Sequence, residues 1–172
     1  MNARERLSGK VVVVTGAGSR APGIGIGRAT SVLMAREGAS VALLDNRREW
    51  AEETFRMIEE EGGNAFVVEC DVTQPLSCEA AVEEISSNGG GIDILVNNAG
   101  MRHGADLANV VDLEEEAWDD MQRVNVKGTF LCSRAVARQM IRRSQGGKIL
   151  VISSLAGKRG LAARAAYCAS KF

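Results

Sequence analysis

Tyr167 is the chain's single tyrosine, and it stands four residues before Lys171 in the segment AAYCASKF, residues 165–172. On a helix that spacing puts both side chains on one face, one turn apart. A phenol alone titrates near about pH 10 and is a poor base around neutrality. An ammonium held beside it favours the phenolate, so the pair reads as one acid–base unit.

A second stretch able to do chemistry is TGAGSRAPGIGIGRAT, residues 15–30. It follows a β-branched run and opens a helical pattern. Glycines let the backbone turn sharply and approach a pyrophosphate, while the next helix offers its N-terminal amides and positive dipole end. Gly16 and Gly18 open this turn and Gly23, Gly25 and Gly27 close it, with Ser19 and Ile26 beside them as cofactor-binding candidates. Strand two should end at Asp45, whose carboxylate can accept from both adenosine ribose hydroxyls and repel a 2′-phosphate. That favours NAD over NADP. Arg20, Arg47 and Arg48 oppose it, since each lies near enough in sequence to pair with a 2′-phosphate.

These groups need a frame. Short apolar runs at 11–15, 40–44, 65–68, 92–96 and 148–152 read as parallel strands covered on both faces. Helical spacing lies between them: Ile26, Thr30, Leu33 and Glu37, stopped by Gly38; then Trp50, Thr54, Met57 and Ile58, closed by Gly62 and Gly63. A third helix uses Cys78, Val82 and Ile85. A fourth runs from about 114 to 143 with Trp118, Met121, Val124, Gly128, Leu131 and Ala135 on one side. Alternating strands and helices with short links predict a Rossmann-type, doubly wound parallel sheet with helices on both faces, forming one domain over 1–172.

The bulk numbers narrow the function. The chain has 45% hydrophobic residues, 25% charged residues and a net charge of −1, which points to no nucleic-acid or membrane-surface partner. The charged start MNARERLSGK lacks an apolar core, so no signal peptide is expected, and no apolar run is long enough to span a membrane. Cys70, Cys78, Cys132 and Cys168 match no metal spacing and read as reduced, buried thiols of a cytoplasmic protein. His103 is the only histidine, so neither a serine triad nor a histidine-rich metal centre can be assembled, and no metal is expected. Met101, Arg102 and His103 either touch substrate or face solvent. The run DLEEEAWDD at 112–120 is a charged helix start that complements the dipole.

Four further segments resemble the short-chain dehydrogenase/reductase family: DV (71–72), NNAG (97–100), VNVKG (124–128), and SS (153–154) followed by YCASK (167–171). They occur in the family's order and span nearly all of the chain. The resemblance implies hydride transfer between NAD(H) and a small alcohol or ketone. Asn125, Ser154, Tyr167 and Lys171 match the catalytic tetrad, with Ser154 preferred to Ser153 by its spacing to Tyr167. Asp71 and Val72 match the adenine pocket. Asn97 would stabilise the central strand, and Asn98, Ala99 and Gly100 would border the cofactor. In this scheme Ser154 holds the substrate oxygen, and Lys171 also reaches the nicotinamide ribose. Asn125 turns its carbonyl side to a water that relays protons. Homodimers or homotetramers through the 114–143 helix are expected by the same resemblance.

Two departures stand out. The family has three residues between the first two motif glycines; here Gly16 and Gly25 are separated by eight. Either five residues including Arg20 and Pro22 are inserted, or Gly23 takes a neighbouring glycine's role. Enoyl reductases of the superfamily have looser glycine loops but a wider tyrosine–lysine spacing, so the pattern remains that of a hydroxyl/carbonyl enzyme. The family also continues past the tyrosine helix, so an incomplete C-terminal side, an uncapped last helix and an open strand-five edge are expected. A weak or inactive portion that binds only nucleotide or a partner subunit is the alternative.

Overall fold

The computed structural model describes residues 5–19, 23–101 and 106–172. The expectations attached to Arg20, Pro22, Arg102 and His103 fall outside the described residues. Five strands form one sheet: β1 (Val11–Thr15), β2 (Ser40–Asp45), β3 (Asn64–Glu69), β4 (Ile94–Asn97) and β5 (Lys148–Val151). Their order is β3-β2-β1-β4-β5, every pairing is parallel, and Val12 lies between Val41 and Ile94. The order reverses between β1 and β4, so the crevice beyond their C-terminal ends is where such sheets bind ligands. Among the described residues no helix is long and apolar enough to cross a membrane.

Period-two alternation builds the layers. Val11 and Val13 join Ala42, Leu44 and Leu95 on one face, under helices α3 (Pro75–Gly89) and α5 (Thr129–Arg143). Val12 and Val14 join Val41, Leu43 and Val96 on the other, under α1 (Ile26–Arg36) and α2 (Arg48–Glu60). Leu95 is wholly buried in the first cluster, so Leu95→Ala should lower unfolding free energy by about 2–5 kcal/mol in a denaturant titration. The four cysteines are all buried thiols, as expected, and Cys78 Sγ lies 3.6 Å from Cys132 Sγ between α3 and α5.

Four expectations need correction. In α1 the buried face is Gly27, Arg28, Ser31, Val32 and Ala35, while Ile26 and Leu33 are exposed. Small residues let this helix lie close to the sheet, which the bulkier residues one position away would prevent. The strand ends shift by one or two residues; Ile92 is buried in the turn before β4, bound through its N–H to Gln139 Oε1. The long fourth helix is not one regular α-helix: α4 (Glu115–Gln122) passes into a π-helical stretch, Arg123–Gly128, before α5. Met121, Gly128, Leu131 and Ala135 are buried as expected and Asn125 and Cys132 join them, whereas Val124 is half-buried and Trp118 exposed. Finally, α6 (Ala165–Lys171) is capped at its C-terminus, because Ser153 Oγ donates to the Lys171 carbonyl at 2.8 Å. The open edge is as expected: Ile149, Leu150 and Val151 of β5 are 40–56% exposed.

Candidate active site

Every segment singled out for chemistry emerges at the C-terminal edge of the sheet. Gly16 leaves β1 at φ +62°, a left-handed conformation suited to glycine, and a side-chain carbon there would press on the backbone of Ala99. Gly27 packs so tightly under Gly16 that a side-chain carbon there would overlap the Gly16 carbonyl oxygen. Gly18 is pressed on Trp50 in the same way, whereas a carbon added at Gly25 would meet, among the described residues, only Ser19 Oγ, at 3.9 Å. So Gly16, Gly18 and Gly27 close the turn, and Gly25 opens it outward. Gly25 is also the N-cap of α1, with no side-chain cap and no acid in the first turn. The first amides of α1 are left without helical partners at a positive dipole end, which suits an anion.

Asp45 ends β2 beside this turn and is buried. Its Oδ2 accepts from Gly18 N–H at 3.0 Å and its Oδ1 from Arg47 N–H at 3.1 Å. A carboxylate has roughly four acceptor positions, so capacity remains for ribose hydroxyls. Burial pushes its pKa above the ordinary 3.8, against the pull of these backbone N–H groups. Arg48 is paired with Glu52. At the end of β3, Asp71 Oδ1 accepts from Thr73 N–H and Thr73 Oγ1, an Asx turn that fixes the carboxylate in place. Val72 packs on Gly128, whose lack of a side chain admits it.

NNAG is bound to the glycine turn by a residue the sequence reading passed over. Thr15 Oγ1 accepts from both Asn98 N–H and Ala99 N–H at 3.0 Å, and Asn98 Nδ2 returns bonds to the carbonyls of Thr15 and Gly16. Thr15 is the buried last residue of β1, and a hydroxyl where a chain leaves the sheet is the signal that could have marked it. Asn97 instead holds the sheet, its Nδ2 donating to Ser133 Oγ and the Leu150 carbonyl.

The π stretch delivers Asn125 to the loop after NNAG. Its Nδ2 donates to the Met101 carbonyl at 3.0 Å and to Ser170 Oγ at 2.9 Å, and its Oδ1 accepts from Met101 N–H at 2.7 Å. With 5% exposure and bonds to both Met101 and Ser170, this side chain fastens α6 to the Met101 loop. Ser170, also unforeseen, completes the link by donating to the Tyr167 carbonyl at 2.8 Å. A carbon added at Gly100 would lie 3.1 Å from Asn125 Oδ1 and 3.6 Å from Lys171 Nζ, so the three converge.

Tyr167 and Lys171 occupy one face of α6 at one-turn spacing. Lys171 Nζ donates to the Ile152 carbonyl at 2.9 Å, and burial lowers its pKa below the ordinary lysine value. Of the two serines, Ser153 is engaged with the end of α6. Ser154 caps the following 3₁₀ turn, its Oγ accepting from Ala156 N–H at 3.2 Å, which leaves its proton to donate elsewhere. The N-terminal side of α6 is anchored by Arg164, which binds both carboxylate oxygens of the buried Asp106 at 3.2 Å.

The sequence model for short chain dehydrogenases matches residues 10–172. This chain belongs to the short chain dehydrogenase family. It is 42% identical over 166 residues to a sorbitol dehydrogenase of Cereibacter sphaeroides, covering 96% of this chain and 60% of that protein. A D-threitol dehydrogenase of Mycolicibacterium smegmatis is 39% identical over 97% of this chain and 61% of its own. Among solved structures, an NAD+-bound xylitol dehydrogenase superposes with a TM-score of 0.89 at 37% identity, over 97% of this chain and 61% of that one. The chain thus spans about three fifths of the length of these relatives. The Rossmann sheet and the motif order are those of a short chain dehydrogenase. The dinucleotide fits the residues present: an uncapped helix start for its phosphates, and an outward-facing Gly25 for close approach.

Proposed function

We propose that this short chain dehydrogenase oxidises a secondary hydroxyl of a small polyol, or reduces the matching ketone, with NAD(H). The observation that carries the reading is the convergence of Gly100, Asn125 and Lys171 beside the Tyr167 face of α6, next to a glycine turn fit for pyrophosphate. The polyol assignment is supported by relatives named for sorbitol, D-threitol and galactitol, and NAD by the NAD+-bound xylitol dehydrogenase.

Bound dinucleotide supplies the hydride acceptor or donor. Gly16, Gly18, Ser19, Gly25, Ile26 and Gly27 hold its phosphates. Asp45 receives the adenosine ribose; Asp71 and Val72 line the adenine side, and Asn98, Ala99 and Gly100 border the nicotinamide half. Ser154 donates a hydrogen bond to the substrate oxygen and stabilises the charge that develops there. Tyr167 takes the hydroxyl proton in oxidation and returns it in reduction. Lys171 supports the phenolate's charge and binds the nicotinamide ribose, and Asn125 holds α6 in register. Assembly through the π-broken helix fits its exposed Val126, Phe130 and Ile141.

The test is NAD+-dependent oxidation across a panel of polyols, followed as NADH absorbance, alongside NADH titration. Turnover that is indifferent to Tyr167→Phe would contradict the assignment. A nucleotide binder without turnover is the reading favoured by the exposed flank of β5, and saturable NADH binding with no activity on any alcohol would establish it.

Asp45 gives binding a pH signature. Its raised pKa means the carboxylate is lost on acidification at a higher pH than an ordinary aspartate's 3.8. NADH affinity should therefore fall as pH drops, with the fall beginning above that value, and Asp45→Asn should flatten it. An acid limb unchanged by Asp45→Asn would assign the loss to another group.

A further inference from the structure

Arg28 contradicts its local surroundings. It is 2% exposed in the first turn of α1, where the helix dipole disfavours a cation. A buried guanidinium is tolerated only when it is well partnered, and here each of its three nitrogens has an acceptor. Nε donates to Thr54 Oγ1 at 3.1 Å, Nη1 to the Gly23 carbonyl at 2.9 Å, and Nη2 to Glu53 Oε2 at 2.6 Å. Thr54, itself wholly buried on α2, passes its own proton to the Ala17 carbonyl at 2.8 Å.

The two carbonyls gripped this way flank the lengthened part of the glycine turn. A trans peptide is planar, so the oxygen of one residue and the N–H of the next point in opposite directions. Holding Ala17 O on Thr54 sends Gly18 N–H the other way, where it meets Asp45 Oδ2. Holding Gly23 O on Arg28 likewise turns Ile24 N–H away from the guanidinium. Gly23 accomplishes this at φ +109°, in glycine's territory. A loop that binds an anion through its amides must keep its carbonyl oxygens turned away, and a longer loop has more freedom to flip them.

We infer that Arg28 and Thr54 form a latch behind the glycine turn: positioning residues that orient its amides, and through Gly18 the Asp45 carboxylate, for a dinucleotide. The inference rests on the NAD reading above and goes beyond it, since neither residue is assigned to ligand contact.

The experiment is fluorescence or calorimetric titration of the chain with NADH, ADP-ribose and adenosine, with thermal melts as controls. Arg28→Met and Thr54→Val should each weaken NADH and ADP-ribose by about ten- to a hundredfold, the loss of one charge-assisted hydrogen bond. Adenosine, which keeps the ribose that Asp45 receives but has no phosphate, should lose less than either, by about three- to tenfold. The double variant should be little worse than either single one, because the two act as a unit. Arg28→Lys should be intermediate, and Thr54→Ser should restore binding. Equal losses for all three ligands would reduce the latch to general stability and overturn the inference. So would unchanged NADH affinity in a folded Thr54→Val, even if Arg28→Met failed to fold. No NADH binding by the unaltered chain would instead overturn the NAD reading, and the inference with it.

Discussion

Tyr167→Phe should leave NADH affinity within about twofold while lowering kcat for polyol oxidation by about 10²–10⁴-fold, the usual contribution of a positioned general base. The phenyl ring keeps the packing of α6, whose fixed points are elsewhere: Ser153 on the Lys171 carbonyl, Ser170 on Asn125, and Arg164 on Asp106. What is lost is one hydroxyl and with it the acceptor of the substrate proton. Lys171→Met should damage both parameters, because the proposed ammonium serves proton transfer and ribose binding together. If kcat fell less than about tenfold in Tyr167→Phe, the proton would have another route.

Gly27→Ala should damage binding by up to roughly a hundredfold, as Tyr167→Phe damages turnover. The added methyl group has no room, since it would overlap the Gly16 carbonyl oxygen and crowd Asn98 Nδ2. Both neighbours are fixed: Asn98 Nδ2 bonds the Thr15 and Gly16 carbonyls, and Gly16 lies against Ala99. Overpacking a rigid site costs about 1–3 kcal/mol. Expressed as displacement of the glycine turn, the upper figure corresponds to roughly a hundredfold in NADH affinity. Gly25→Ala is the contrast, because a methyl group there meets only Ser19 within 4 Å in the described structure. Gly25→Ala should melt like the parent yet still weaken NADH binding, since it intrudes where the phosphates approach. Equal affinity of Gly27→Ala and the parent, in a titration of folded protein, would remove the glycine turn from the site.

These two positions show what the sequence reveals and what it hides. The parallel sheet was legible because β1, β2 and β4 are apolar at nearly every position, a pattern few other arrangements produce. The acidic end of β2 and the closely spaced Tyr167 and Lys171 were legible because each depends on local spacing. The π stretch was not, since one wider turn leaves residue types unchanged, and there Asn125 is buried while Val124 is only half-buried. Thr15, Arg28 and Thr54 were hidden for a different reason. Each acts through bonds to another segment, Thr15 and Thr54 on distant backbone groups and Arg28 on the side chains of α2, and no spacing within one element encodes such a bond. The cap on α6 was missed likewise, because Ser153 lies eighteen residues before the carbonyl it satisfies.

The chain's lone tyrosine offers the most direct test of the site as a whole. Labelling tyrosine with ¹³C at the hydroxyl-bearing carbon gives a single resonance, which needs no assignment. Titration with NAD+ should move that resonance saturably, at the same concentrations that quench tryptophan emission, and Gly27→Ala should abolish both responses together. A tyrosine signal that stays fixed while NAD+ demonstrably saturates the chain would place the dinucleotide away from Tyr167 and contradict the proposed site.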